Sequence, residues 1–204
     1  MTFQYHASSP MLANWLIGLC SGAPTLLLGL AAYVLTGLAL HTIAKNRGLH
    51  KAWLAWVPVA NVWLLGSISD QYRYVVKGQR RAKRNWLLVL NILKSSMITG
   101  YLGLMVSVLI RMAFGGIGDF EDLMLTALGY GLVGGGISLV YGILYFMVLY
   151  DVYTSMDPDS NTLFLILSIF IPVTRPFFLF FLRNKESGMP PRRPVNPVEE
   201  AQYL

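Results

Sequence analysis

Apolar residues in this chain gather into long uninterrupted stretches, with the charged residues confined to short stretches between them. Asn85 to Ile110 carries one charge, Lys94, and Leu123 to Tyr150 carries none. A helix needs about 20 apolar residues to cross roughly 30 Å of hydrocarbon, so each stretch predicts a transmembrane helix. Met11 to Ala44 is also mostly apolar, but too long for one crossing at about 1.5 Å per residue. Gly22-Ala23-Pro24 divides it. Pro24 to Ala44 is then the first span, because proline is well placed at a helix start, where its missing N–H has no partner to lose. Met11 to Ser21 would lie in the interface or cap the bundle.

Two further hydrophobic segments, Ala52 to Ile68 and Thr162 to Leu182, are broken by proline. Val57-Pro58-Val59 leads to Trp63-Leu64-Leu65, and Ile171-Pro172-Val173 leads to Phe177-Phe178-Leu179. Each follows a longer apolar helix. Interrupted segments at matching places can bring irregular backbone and polar groups to membrane depth when protein or a water-filled cavity covers them.

Charge fixes the expected order of crossings. Lys45, Arg47 and Lys51 hold one loop inside, and Arg73, Lys77, Arg80, Arg81, Lys83 and Arg84 hold the next loop inside as well. The segment between them therefore dips in and returns at Pro58 or lies along the interface, which suits Trp53, Trp56 and Trp63. The alternative, a full crossing, would export the densest basic loop. Ala113 to Asp122, glycine-rich and acidic through Asp119, Glu121 and Asp122, makes an outer loop. Thr162 to Leu182 ends at Arg183 and Lys185, with Arg192 and Arg193 beyond. It either re-enters, with Pro172 and Pro176 at its break, or spans.

The expected fold is all-α: an integral membrane helical bundle of three full transmembrane helices plus two Pro-broken re-entrant or interfacial segments, five spans if these cross. Residues 1–186 form one membrane domain with parallel repeats at 24–69 and 123–183. Residues 187–204 form an extended, Pro-rich cytoplasmic tail whose Pro191 and Pro194 could dock a protein partner. The expected location is the bacterial cytoplasmic (inner) membrane, N-terminus out and C-terminus in.

Composition agrees. Of 204 residues, 55% are hydrophobic and 13% charged, with a mean hydropathy of +0.53, more apolar surface than a soluble core of this size hides. The net charge of +6 points to topology rather than nucleic acid, since its basic cluster directly precedes a span. Attraction of that cluster to anionic lipid would add about 1 kcal/mol per residue. The lone Cys20 excludes an intramolecular disulfide framework. Without Lys or Arg in Met1 to Leu16, a cleaved signal peptide is not expected.

Candidate chemistry rests on polar residues inside apolar surroundings. Lys94 lies about 15 Å along its helix from Arg84 and needs a partner in the bilayer, with Asn91, Asn61 and Asp151 as candidates; alternatively its stem snorkels to the headgroups. Arg175, at the second break, either binds an anionic headgroup or solute together with Asn61 at the first break, or pairs with Asp151 or Asp157. Gly131 and Gly135 have the spacing that lets helix backbones approach, within the bundle or across a homo-oligomer. Asp157-Pro158-Asp159-Ser160-Asn161 reads as a turn with a helix cap. His6, His41 and His50 share no metal-ligand spacing, and no nucleophile or phosphate-binding motif is present. No catalytic residue, metal or cofactor is assigned.

Trp53, Pro58 and Asn61, within Gly48 to Gly66, make a spacing that resembles small multi-span bacterial membrane proteins to which no function is assigned. Thr174-Arg175-Pro176-Phe177-Phe178 and Met189-Pro190-Pro191-Arg192 are similar to the end of such proteins from gut Gram-positive bacteria. The resemblance implies a membrane fold and no activity. The expected function is a non-catalytic accessory, scaffold or assembly subunit. The alternative is a small-solute or lipid transporter or substrate-binding component, and the third is a lipid-headgroup enzyme. A scaffold should hold Lys94 and Arg175 in ion pairs, whereas a binding protein should turn them into a pocket.

Overall fold

The computed structural model describes residues 10–79, 82–113 and 120–190, which contain helices and no strand. Six α-helices follow in order: α1 (Pro10–Asn46), α2 (Ala60–Lys77), α3 (Lys83–Ala113), α4 (Phe120–Met156), α5 (Asn161–Phe170) and α6 (Thr174–Leu182), with a 3-10 turn at Ala52–Trp56 before α2. Three stretches are long and apolar enough to cross a membrane: Ala23–Asn46 in α1, Lys83–Ala113 and Glu121–Met156.

One boundary differs from expectation. Helix α1 runs through Pro24 without a break, so Met11 to Ser21 is not a separate segment. An internal proline forfeits one backbone bond, whereas stopping the helix there would leave several terminal N–H and C=O groups without intrahelical partners. Continuation is the smaller loss. Glu121 and Asp122 likewise sit in the first turn of α4 rather than in a solvated loop, where their charge suits the positive end of the helix dipole. Asp119 lies outside the described residues, as do His6 and residues 191–204 of the tail. Ser187, at the start of that tail, donates to the Met156 carbonyl (2.6 Å).

The proline breaks form by the same local rule. A residue before proline is driven out of the helical region: Val57 (φ −95°, ψ 119°) is extended and Ile171 (φ −124°, ψ 83°) is likewise non-helical. The valines after the prolines, Val59 and Val173, return to helical angles and start α2 and α6. Freed carbonyls at the first break find donors on α1: the Tyr33 hydroxyl donates to Trp56, and His41 Nδ1 lies 3.3 Å from the Ala52 carbonyl. Helix α2 ends on Gly78 at φ 63°, where the Gln79 N–H reaches back to the Arg73 carbonyl (3.2 Å). That left-handed stop comes at no steric cost to glycine.

Helices α3 and α4 are antiparallel: Lys94 lies against Tyr141, and Gly134 against Met97. Helices α1 and α4 end together, with Arg47 Nη2 donating to Ser155 Oγ (2.8 Å). The core therefore collects at one end of the bundle, where Leu40, Ile43, Leu64, Ile68, Leu149, Val152 and Leu179 pack. Toward the other end the helices bare their apolar side chains; Leu109 is 65% and Leu132 70% exposed. Water would not tolerate so extensive a surface on a monomer, but lipid is its natural solvent.

Candidate functional site

Two polar centres occupy the packed end. The first is built on Asp151, fully buried near the end of α4. Arg73 of α2 grips it with two bonds, Nε to Oδ2 at 2.6 Å and Nη2 to Oδ1 at 2.9 Å. Lys83 Nζ (3.0 Å) and Ser69 Oγ (2.8 Å) complete the set on Oδ2. The carboxylate holds the Arg73 guanidinium more firmly protonated than usual, outweighing the opposing effect of burial. Beside it, Asp70 accepts the backbone N–H groups of Lys83 and Arg84, both at 3.2 Å, and so caps α3 from a neighbouring helix. Burial outweighs these bonds and raises the Asp70 pKa. One buried carboxylate thus ties α2, α3 and α4 together, its geometry fixed by the bidentate Arg73 contact and the single charge-assisted bond from Lys83.

The second centre is a cavity of about 260 Å³ between α1, α2, α3, α4 and α6. Lys94, Arg175 and Asn61 line it, with Thr36, Tyr141 and Tyr145 as further polar walls. Pro172 explains one contact of Arg175. In a continuous helix the Ser168 carbonyl would accept from the N–H of residue 172, which proline lacks. Arg175 Nε supplies the missing donor at 2.8 Å. The guanidinium then lies 4.9 Å from the Phe146 ring centre and 5.7 Å from that of Tyr145, and the Lys94 amine lies 4.0 Å over Tyr141. Cation–π contacts of this kind lessen the cost of a buried charge without neutralising it.

Neither cation of the cavity pairs with a carboxylate among the described residues. Asp151 belongs to Arg73 and Lys83, Asp157 to Lys185 (3.3 Å), and Glu186 lies 3.8 Å from Arg47. The expected partnership of Arg175 with Asp151 or Asp157 is therefore corrected, as is that of Lys94 with Asp151. Asn91 is buried on α3 but makes no hydrogen bond to Lys94 and does not line the cavity. Ser160 occupies the α5 N-cap position without a side-chain cap bond.

Matching positions of the two breaks meet here. Asn61 and Arg175 each stand three residues after the proline, and Leu65 and Leu179 seven after it, and all four line the cavity. Tyr141 and Tyr145 escaped notice in the sequence; their spacing of four on one helix face, opposite two cations, was the available signal. The basic cluster also divides differently from expectation. Arg73 and Lys83 turn inward to Asp151, Lys77 and Arg84 are exposed, and Arg80 and Arg81 lie outside the described residues. Gly131 and Gly135 do not serve close packing inside the bundle, because nothing lies within 4 Å of where a Cβ would stand at either. No family model, curated protein or solved structure matches this chain.

Proposed function

We propose that this chain is a non-catalytic integral membrane protein of the bacterial cytoplasmic membrane that binds an anionic ligand in the cavity between its two Pro-broken segments. This is the reading of a solute- or lipid-binding component of a transport system. The observation that carries it is the pair Lys94 and Arg175, which come from different helices, face one cavity and have no carboxylate partner among the described residues. An uncompensated charge in a low-dielectric interior costs several kcal/mol, and polar residues at membrane depth concentrate where substrates pass. A bound anion supplies the missing charge. Arginine adds a forked donor set suited to carboxylate or phosphate.

In this proposal both broken segments start and finish on the cytoplasmic face, as the basic residues on both flanks of the first and at the end of the second favour. The N-terminus is then outside and the C-terminus inside, and 24–69 and 123–183 are parallel repeats. The corresponding places of Asn61 and Arg175 support the repeat. A scaffold role has one observation of its own, the Asp151 cluster that locks three helices into a rigid unit.

Thermal stability in mild detergent tests ligand binding. Glycerol phosphate at about 100 times its dissociation constant should stabilise the wild type by about 2.7 kcal/mol. It should leave the Lys94→Gln/Arg175→Gln double variant unmoved. Equal stabilisation of both proteins, or none of either, would reject the site.

A further inference from the structure

A second hollow meets the first at Lys94. It is an open groove of about 230 Å³ between α3 and α4, with Met97, Ile98 and Leu102 on one side and Gly131, Gly134 and Gly135 on the other. Among the described residues Lys94 is the one that lines both spaces. From Lys94 to Leu102 the groove follows α3 for about 12 Å, away from the packed end and toward the lipid-exposed half of the bundle. Its glycine floor is open: at Gly131 and Gly135 no atom stands within 4 Å of a Cβ position.

These two spaces differ in chemistry and share a boundary. The cavity is cationic and lined by hydroxyl and amide groups; the groove is mostly apolar and open to lipid. Taken alone, the cavity falls below the roughly 300–1,000 Å³ of small-molecule sites, so a ligand confined to it is small. A ligand reaching across Lys94 gains the groove as well. Resting on the anion-binding reading above, we infer that the ligand is an acidic bilayer lipid, its phosphate held by Lys94 and Arg175 and one acyl chain laid along the α3/α4 groove. Charge complementarity selects the headgroup, and the bilayer supplies the lipid at the mouth of the groove. Lys94, at the junction of the two spaces, stands where an acidic head would join its chain.

The test separates head from chain. Affinities of the purified protein in mild detergent are measured for glycerol phosphate and for dioleoyl phosphatidylglycerol in mixed micelles, on the wild type and on Gly131→Leu and Gly135→Leu. A Cβ at either position meets no neighbouring atom within 4 Å, so leucine should fill groove space, and helical circular dichroism with gel filtration checks that the variants remain folded. A chain held beside its head raises the effective local concentration, so the wild type should bind the lipid about a hundredfold more tightly than glycerol phosphate. The leucine variants should lose that advantage while binding glycerol phosphate as before. Equal affinities for lipid and headgroup, or a lipid affinity indifferent to the leucines, overturns the lipid inference and leaves the anion site standing. A dimer that the leucines abolish, with lipid affinity unchanged, overturns it in favour of a second copy in the groove. If the wild type binds neither ligand, the anion site falls too.

Discussion

Replacing Asp151 with asparagine keeps its shape and removes its charge, and the structure sets what that should cost. The carboxylate is 0% exposed, and the side chains that depend on it are 17% (Arg73) and 9% (Lys83) exposed. Removing one partner of a buried ion pair costs about 3–5 kcal/mol, because the other charge stays buried without compensation. Here two cations are stranded together, and the bidentate grip of Arg73 becomes a pair of weaker bonds, one of them facing an amide that donates rather than accepts. The upper part of that range follows. For a chain of this size each kcal/mol corresponds to about 2–4 °C, so a loss of about 4–5 kcal/mol should lower the midpoint by roughly 8–20 °C. Gel filtration after stepwise heating in mild detergent reads the shift directly. Asp151→Leu combined with Arg73→Met and Lys83→Met removes all three charges and should recover most of the loss, since apolar replacement of a buried ion cluster is often neutral. An Asp151→Asn midpoint within about 2 °C of wild type would refute the reasoning, because it would mean that water already reaches the cluster.

Other outcomes follow from local geometry. At Gly66 a Cβ would stand 2.7 Å from the Arg84 Cα, so Gly66→Ala should force α2 and α3 apart and cost about 1–3 kcal/mol, whereas Gly129→Ala, with open space around it, should gain about 0.5–1 kcal/mol from helix propensity; the same heating assay compares them. Asp70→Ala removes the acceptor for two N–H groups at the start of α3 and should cost about 1 kcal/mol. Since burial raises the Asp70 pKa above its ordinary 3.8, the folded state binds that proton more tightly than the unfolded state. The stability from this group is therefore full below 3.8 and is lost as pH rises through the raised value, so the gap between wild type and Asp70→Ala should narrow over that window. Single cysteines at Lys51, Gln79, Asp159 and Glu121 on a Cys20→Ser background report topology: impermeant thiol reagents should reach the first three from the cytoplasmic side and position 121 from the other, and labelling of positions 79 and 159 from opposite faces would break the proposed arrangement.

What could be read from sequence was the local and the periodic. Pro58 and Pro172 act on the residue before them, so the breaks at Val57 and Ile171 were visible without any tertiary knowledge. The long apolar runs of α3 and α4 announce themselves by length. Lys94, Arg175 and Asn61 stood out because each is polar inside an apolar segment, and the structure brings all three to one cavity. Pro24 misled because proline suits a helix start, yet running through it forfeits one backbone bond where stopping forfeits several. The partners of Asp151 were out of reach: Ser69, Arg73 and Lys83 lie far from it in sequence, and in a run of like charges nothing local distinguishes the two cations that turn inward. The open face of Gly131 and Gly135 was equally hidden, since the spacing that allows helices to touch looks the same when none does.

The central claim is that Lys94 and Arg175 act on one anion, and a double-mutant cycle on its affinity tests that claim most directly. Glycerol phosphate is titrated calorimetrically into the wild type, Lys94→Gln, Arg175→Gln and the double variant. A charged hydrogen bond contributes about 1.5–3 kcal/mol, so each single change should weaken binding by roughly ten- to a hundredfold. The two losses should be coupled by about 0.5 kcal/mol or more, as expected of groups that share a ligand. Affinities unchanged by either substitution would contradict the account, and so would losses that simply add.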